Sequence, residues 1–253
     1  MEYELTQMPF REVKPRENGL TMVMDKGLSL REAEDFLSVA GGYADIIKLG
    51  FGTAYITPNL EKKIDLYRDY GLDVYFGGTL FEAFVIRDQF DDYRRMVDKF
   101  KIRIVEVSDG SMNIDHVTKC KFISDLAKEV TVISEVGSKD IDKIIPPYKW
   151  IEQMLAELAA GSYKVIAEAR ESGTIGIFRR DGEVRSGLVE EILTKIPADK
   201  IIWEAPQKEQ QIWFVKLLGS NVNLGNIAPH DVLPLETVRL GLRGDSFDFF
   251  LNK

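Results

Sequence analysis

Eight short apolar runs recur along the chain, and most of them stop on a polar group. Val23-Met24 leads to Asp25-Lys26, Ile46-Ile47 to Lys48, and Val74-Tyr75-Phe76 to Gly77-Gly78-Thr79. Ile104-Val105 leads to Glu106, Val132-Ile133 to Glu135, Val165-Ile166-Ala167 to Glu168, Ile201-Ile202 to Glu204, and Val222 to Asn223. A run of this length bounded by turn residues reads as a buried strand. The strands are expected to end near Met24, Lys48, Phe76, Val107, Val136, Ala169, Glu204 and Leu224.

Helical material separates the runs. Ser29 and Glu32 have capping-box spacing ahead of a helix that Gly41-Gly42 should stop near Ala40. Leu60, Ile64 and Tyr67 share a face at helical spacing, and Phe90, Tyr93, Val97 and Phe100 do the same within one helical stretch over 81–101. Further helices are expected over 115–128, 148–160, 188–196, 207–218 and 235–242, with a tail from Gly244. Strands alternating with helices imply right-handed parallel βαβ units. Eight such units in 253 residues favour one (β/α)8 barrel over a doubly wound sheet. No linker or longer internal repeat divides the chain, so a single domain over 1–253 is expected, with 1–18 as an extended arm.

Composition narrows the function. The net charge is -8 and no basic tract stands out, so nucleic acid is not expected as a partner. No run approaches the ~20 apolar residues of a membrane span, and Met1 to Asn18 lacks a signal-peptide core. The single cysteine, Cys120, fits a reducing cytosol, and a soluble cytoplasmic homo-oligomer is expected.

In a barrel the catalytic groups sit at the carboxyl ends of the strands. Asp25, Glu106, Glu135, Glu168 and Glu204 would then crowd one mouth. Crowded carboxylates repel unless cations intervene. Lys26, Lys48 and Arg170 supply some positive charge, and oxygen donors suit magnesium, for which Glu106, Glu135 and Glu168 are the candidate ligands. A self-neutralising ion-pair network is the structural alternative.

Glu168 and Arg170 share a strand face, so the guanidinium is a candidate anion clamp. Lys48 could be an acid, a Schiff-base nucleophile or an anion anchor, and Lys139 lies on a loop above the same mouth. Gly78-Thr79 and Gly225-Asn226 are candidate anion and phosphate contacts, because glycine lets backbone N–H groups approach an anion. His116 and His230 share no metal spacing, and no zinc-hydrolase or Ser-His-Asp pattern is present.

These stretches resemble the phosphosulfolactate synthase family, whose members add sulfite to phosphoenolpyruvate. The resemblance is carried by Asp25-Lys-Gly27, Lys48-Leu-Gly-Phe-Gly-Thr53, Gly77-Gly-Thr-Leu-Phe-Glu82, Glu106-Val-Ser-Asp-Gly110 and Ser134-Glu-Val-Gly137. It continues through Glu168-Ala-Arg-Glu-Ser-Gly173, Glu204-Ala-Pro-Gln-Lys208, Asn221-Val-Asn-Leu-Gly-Asn-Ile227 and Leu235 to Asp245. It covers almost the whole chain. The family often has Trp where Phe51 stands and Ala where Gly225 stands. The resemblance implies a (β/α)8 barrel, magnesium dependence, and a place in coenzyme M or other sulfonate biosynthesis.

On that reading sulfite attacks the methylene carbon of phosphoenolpyruvate. Magnesium stabilises the resulting aci-carboxylate, and Lys48 or Lys139 protonates the carbon bearing the phosphate ester. Lys26, Gly78, Thr79, Gly225 and Asn226 would help hold the anions, and Arg170 would clamp one of them. Two rivals stay open: another barrel lyase or Schiff-base aldolase acting on a phosphorylated substrate, and a non-catalytic relative with a stress-tolerance role.

Overall fold

The computed structural model describes residues 4–138 and 145–251. Strand and helix alternate from end to end. The first half runs β1 (Thr21–Asp25), α1 (Leu30–Ala40), β2 (Ile46–Leu49), α2 (Leu60–Asp69), β3 (Asp73–Phe76), α3 (Gly78–Val85), α4 (Phe90–Lys99) and β4 (Ile104–Val107). The second half runs α5 (His116–Leu126), β5 (Thr131–Val136), α6 (Pro147–Ala159), β6 (Lys164–Ala167), α7 (Ser186–Leu193), β7 (Ile201–Glu204), α8 (Lys208–Leu218), β8 (Leu224–Ile227), α9 (Val232–Arg239) and α10 (Phe247–Phe250).

The strands form one sheet in the order β3-β2-β1-β8-β7-β6-β5-β4, and every ladder is parallel. The two end strands, β3 and β4, lie side by side without a backbone ladder. Side chains bridge this seam. Glu106 on β4 accepts from the Tyr75 hydroxyl at 2.7 Å and from the Gly78 N–H at 2.7 Å. The barrel is therefore nearly closed, and its one unladdered seam is pinned at the mouth.

The strands are buried on both faces, as a parallel sheet under a helical coat requires. Each helix presents an apolar stripe to that sheet. In α1 the stripe is Ala33, Leu37 and Ala40, and Ser29 and Glu32 form the expected capping box. Trp150 and Trp203 are fully buried, and Trp203 stacks on Phe214 at 5.0 Å.

Four boundaries differ from the sequence reading. The helical stretch over 81–101 is two helices, broken where Asp88 takes a φ of 55°. The break lets α3 and α4 lay aromatic rings on each other, with Phe81 5.5 Å from Tyr93. Strand β8 begins where it was expected to end. Asn223 stands before it, accepting from the Leu20 N–H and donating to the carbonyls of Asp199 and Ile201. Strand β6 stops at Ala167 rather than Ala169, and the tail carries the short helix α10.

The N-terminal arm folds under the barrel. Arg11 reaches Glu236 of α9 through two nitrogens, at 2.9 and 3.1 Å, and Arg16 grips Asp45. No helix among the described residues is long and apolar enough to cross a membrane.

Candidate active site

Alternation along the strands sends Lys48, Glu106, Glu135 and Glu204 to the carboxyl end of the barrel interior, around a chamber of about 420 Å³. Lys48 stands among three carboxylates. Its Nζ lies 3.0 Å from Glu106, 3.2 Å from Glu204 and 3.6 Å from Glu135. Burial alone would push Lys48 down, but Glu106, Tyr75, Glu204 and Glu135 outweigh it and hold the ammonium well above its ordinary value. A Schiff-base nucleophile needs a neutral amine, so this environment opposes the aldolase reading.

The carboxylates are held differently from one another. Glu106 has both oxygens engaged, by the Gly78 N–H on one side and by Tyr75 and Lys48 on the other. Glu204 accepts from the Ala169 N–H at 2.8 Å with the oxygen that does not face Lys48. Burial pushes its carboxyl up to about 7; Lys48 opposes the rise, and Glu135 and Glu106 add to it. Among the described residues, one buried ammonium faces three carboxylates there.

The rim supplies more positive charge. Arg170 lines the chamber and is exposed, and among the described residues its side chain makes no hydrogen bond or ion pair. Its guanidinium fork is open to a ligand. Phe51, Met24, Thr79 and Asn226 also line the chamber. Asn226 has a φ of 56° and is 8% exposed, and its Oδ1 has no hydrogen-bond partner among the described residues.

The remaining candidates lie apart from that lining. Lys26 sits on the rim, paired with Glu171 across the mouth. Glu168 is buried against Gly137 of the turn after β5. Gly78 has its N–H committed to Glu106. Gly225 faces inward beneath the chamber, where a Cβ would stand 2.5 Å from Met22 and 3.1 Å from Ile202. Lys139 lies outside the described residues.

Asp25 does not join the mouth. Its carboxylate turns outward, accepting from Gly27, Leu28 and Tyr67 and pairing with Lys63 of α2 at 2.5 Å. His230 is at the same end of the barrel but points to solvent, with 83% of its side chain exposed. His116 pairs with Glu157 at 3.0 Å, behind the sheet.

Three contributors escaped the sequence reading. Tyr75 sits inside an apolar run that shows no sign of a polar role, yet its hydroxyl donates to Glu106 at 2.7 Å. Ser111 lines the chamber from the loop after β4. Lys119 of α5 donates to the Glu135 carbonyl at 2.5 Å and pairs with Asp109 and Glu157, both at 2.8 Å. A lysine within a helix carries no local sign of such a role.

A parallel (β/α)8 barrel with an ammonium ringed by carboxylates and an open guanidinium at its mouth defines a class: an α/β-barrel protein with a charged pocket at the carboxyl end of its strands. The comparisons narrow the class to a family. Residues 9–245 match the model of (2R)-phospho-3-sulfolactate synthase (ComA). Phosphosulfolactate synthase of Methanothermobacter thermautotrophicus is 40% identical over 244 residues, covering 94% of this chain and 95% of that protein. The Bacillus subtilis protein of the same name is 39% identical over 244 residues, with 95% and 97% covered. That of Methanocaldococcus jannaschii is 41% identical over 238 residues, with 91% and 94% covered. The chain belongs to the phosphosulfolactate synthase family.

Solved structures bear on the fold alone. 3-Hexulose-6-phosphate synthase from Salmonella typhimurium superposes with a TM-score of 0.59 at 14% identity, covering 88% of this chain and 100% of that one. 3-Keto-L-gulonate-6-phosphate decarboxylase from Vibrio cholerae gives a TM-score of 0.57 at 12% identity, with 92% and 99% covered.

Proposed function

We propose that this chain catalyses the magnesium-dependent addition of sulfite to phosphoenolpyruvate, giving phosphosulfolactate. Membership in the family supports the reaction. The observation that carries the site assignment is the uncommitted Arg170 guanidinium above a chamber whose only buried ammonium, among the described residues, is already surrounded by carboxylates. Two anions can meet there only if additional cations offset that negative charge.

The donors suit a hard cation. Glu106, Glu135 and Glu204 line the chamber as oxygen donors, and no cluster of three or more metal-ligating side chains forms among the described residues. Magnesium is commonly held by one or two carboxylates together with water. Glu135 and Glu168, from the neighbouring ends of β5 and β6, are the residues that would hold it. Glu106, engaged at both oxygens, fits better as the counter-ion of Lys48. When bound, magnesium supplies Lewis-acid stabilisation of negative charge on the substrate carboxylate.

The chain's own groups supply the rest. Arg170 holds an oxyanion through two parallel N–H bonds. Asn226 and Thr79 orient the phosphate ester, and Phe51 and Met24 limit water at the reacting carbons. The sulfite sulfur forms a bond to the methylene carbon, and the electron pair of the carbon–carbon double bond moves toward the carboxylate. The adjacent carbon then takes a proton from Lys48 or Lys139. The exposed apolar side chains of Tyr55, Ile56 and Ile86 near the mouth support a homo-oligomer, and the lone Cys120 supports a cytoplasmic setting.

The test is consumption of phosphoenolpyruvate with and without sulfite, at several magnesium concentrations. Loss of substrate only when sulfite and magnesium are both present is expected, with Glu135→Gln and Glu168→Gln raising the magnesium requirement. Turnover without sulfite, or none under any condition, overturns the assignment.

A further inference from the structure

A second cavity, of about 390 Å³, lies at the opposite end of the barrel. Its walls are the first residues of β2 through β6, and Lys14 and Arg16 of the N-terminal arm close it from below. The upper part is apolar, with Leu20, Ile133 and Ile202. Four cationic side chains and two carboxylates line the remainder.

Both carboxylates are taken. Asp45 is held by Arg16 at 3.0 Å, and Asp73 by Arg103 at 2.6 Å. Among the described residues the two lysines have only backbone carbonyls and a ring as partners. Lys14 donates to Gly41 O at 3.2 Å and Ala44 O at 2.6 Å. Lys164 donates to Asp199 O at 2.5 Å and lies 4.9 Å from the centre of the Tyr163 ring. Neither forms an ion pair among the described residues. Lys164 is 2% exposed.

Withdrawing a charge from water without an ion-pair partner is costly, and Lys164 is buried while Lys14 is half-buried. If these side chains only tethered carbonyls, a neutral donor such as glutamine would serve without that cost. Keeping two ammoniums at one cavity in a protein of net charge -8 is favourable once an anion occupies it. Burial pushes both lysines down; Asp45 opposes this at Lys14 and Arg16 adds to it, while at Lys164 Asp199, Glu17 and Glu12 oppose it and Lys200 adds to it. An oxyanion in the cavity would oppose that shift.

We propose that this cavity binds a small tetrahedral oxyanion, the head of a phosphate, sulfate or sulfonate, with Lys14 and Lys164 as its cationic walls. Lys14 is on the arm and Lys164 opens β6, so an occupant ties the arm to the barrel floor. The site is remote from the mouth and does not depend on the reaction proposed there.

Inorganic phosphate and sulfate are the probes, titrated calorimetrically into the full-length protein at constant ionic strength. Binding is expected in the wild type and in Arg170→Ala, and should weaken at least about tenfold in Lys14→Gln and Lys164→Gln. Lys164→Arg, which keeps the charge, should keep binding and also controls for folding. Sulfite–phosphoenolpyruvate turnover should survive in all three lysine variants. Preference for one anion over the other identifies the head group, and binding of either at this cavity supports the site. If neither anion binds, if binding is the same in the glutamine variants, or if it disappears in Arg170→Ala alone, the proposal is overturned.

Discussion

At the scale of single residues the mouth is a contest between burial and charge, and Glu204 shows how it is resolved. Its carboxyl rises from an ordinary 4.5 to about 7 because desolvation and two neighbouring carboxylates outweigh one ammonium. The folded protein therefore binds a proton more tightly than the unfolded chain does. The resulting stability is fully present below about 4.5 and is lost as pH rises through about 7. A shift of this size corresponds to at most ~3 kcal/mol. Glu204→Gln should remove that loss: its melting temperature should fall less than the wild type's between pH 5 and pH 8, as thermal denaturation across that range will show. Equal slopes would mean that Glu204 is ionised throughout. Arg170 poses the opposite problem, a guanidinium without a partner among the described residues. Lysine keeps the charge but not the planar fork. Arg170→Lys should lower kcat/KM roughly 10-fold or more, about 1.4 kcal/mol of transition-state stabilisation, and raise KM for at least one anion. A lower melting temperature with unchanged kcat/KM would make Arg170 a structural residue.

At the scale of elements, the loop from β6 to α7 carries Arg170 and Glu171 to the rim, and a backbone contact sets its path. Ala169 bridges Gly176, and the Ile177 N–H donates to the Glu168 carbonyl at 3.1 Å. Gly176 has a φ of +79°, and a Cβ there would stand 2.0 Å from the Glu168 carbonyl oxygen. Backbone cannot swing aside as a side chain can. Gly176→Ala should cost roughly 1–3 kcal/mol of stability and displace the end of β6, lowering kcat/KM as well. Gly187→Ala, on α7 with open space around it, should be neutral or slightly stabilising; urea titration and kinetics of the pair separate loop geometry from general sensitivity. Sequence legibility followed the same division. Short apolar runs located seven strands, because a buried parallel strand is a continuous apolar segment. The eighth was displaced because Gly225 and Asn226 interrupt its apolar character and Asn223 is polar for a structural reason. The inward carboxylates of β4, β5 and β7 were legible from their place at the carboxyl ends of the apolar runs, and Lys48 with them. The outward turn of Asp25 was not, since its partners Lys63 and Tyr67 come from the next helix.

At the scale of the whole molecule, the chain's two ends are joined. Barrel closure brings β1 against β8, and the arm before β1 crosses to the helix after β8. Arg11 makes this link. It donates to both oxygens of Glu236, to the Asn221 side chain at 3.2 Å and to the Gly19 carbonyl at 2.9 Å. Both partners are nearly buried, with side-chain exposures of 8% and 6%. Removing one member of a buried pair strands the other charge, typically at ~3–5 kcal/mol. Arg239, 4.0 Å from Glu236, is positioned to recover part of that. Arg11→Ala should therefore lower the melting temperature by roughly 5–10 °C, given about 2–4 °C per kcal/mol for a chain of this size. The manner of loss matters more than its size. We propose that the arm and barrel form one cooperative domain, in which case calorimetry should show a single transition in wild type and variant alike, displaced to lower temperature in the variant. An early, separate melting of the arm with an unshifted main transition would show that the barrel is stable without it. The double variant Arg11→Ala/Glu236→Gln locates the origin of the effect. If the stranded carboxylate is the main cost, neutralising it should restore much of the lost stability; if packing of the arginine stem dominates, the double variant should melt no higher than Arg11→Ala.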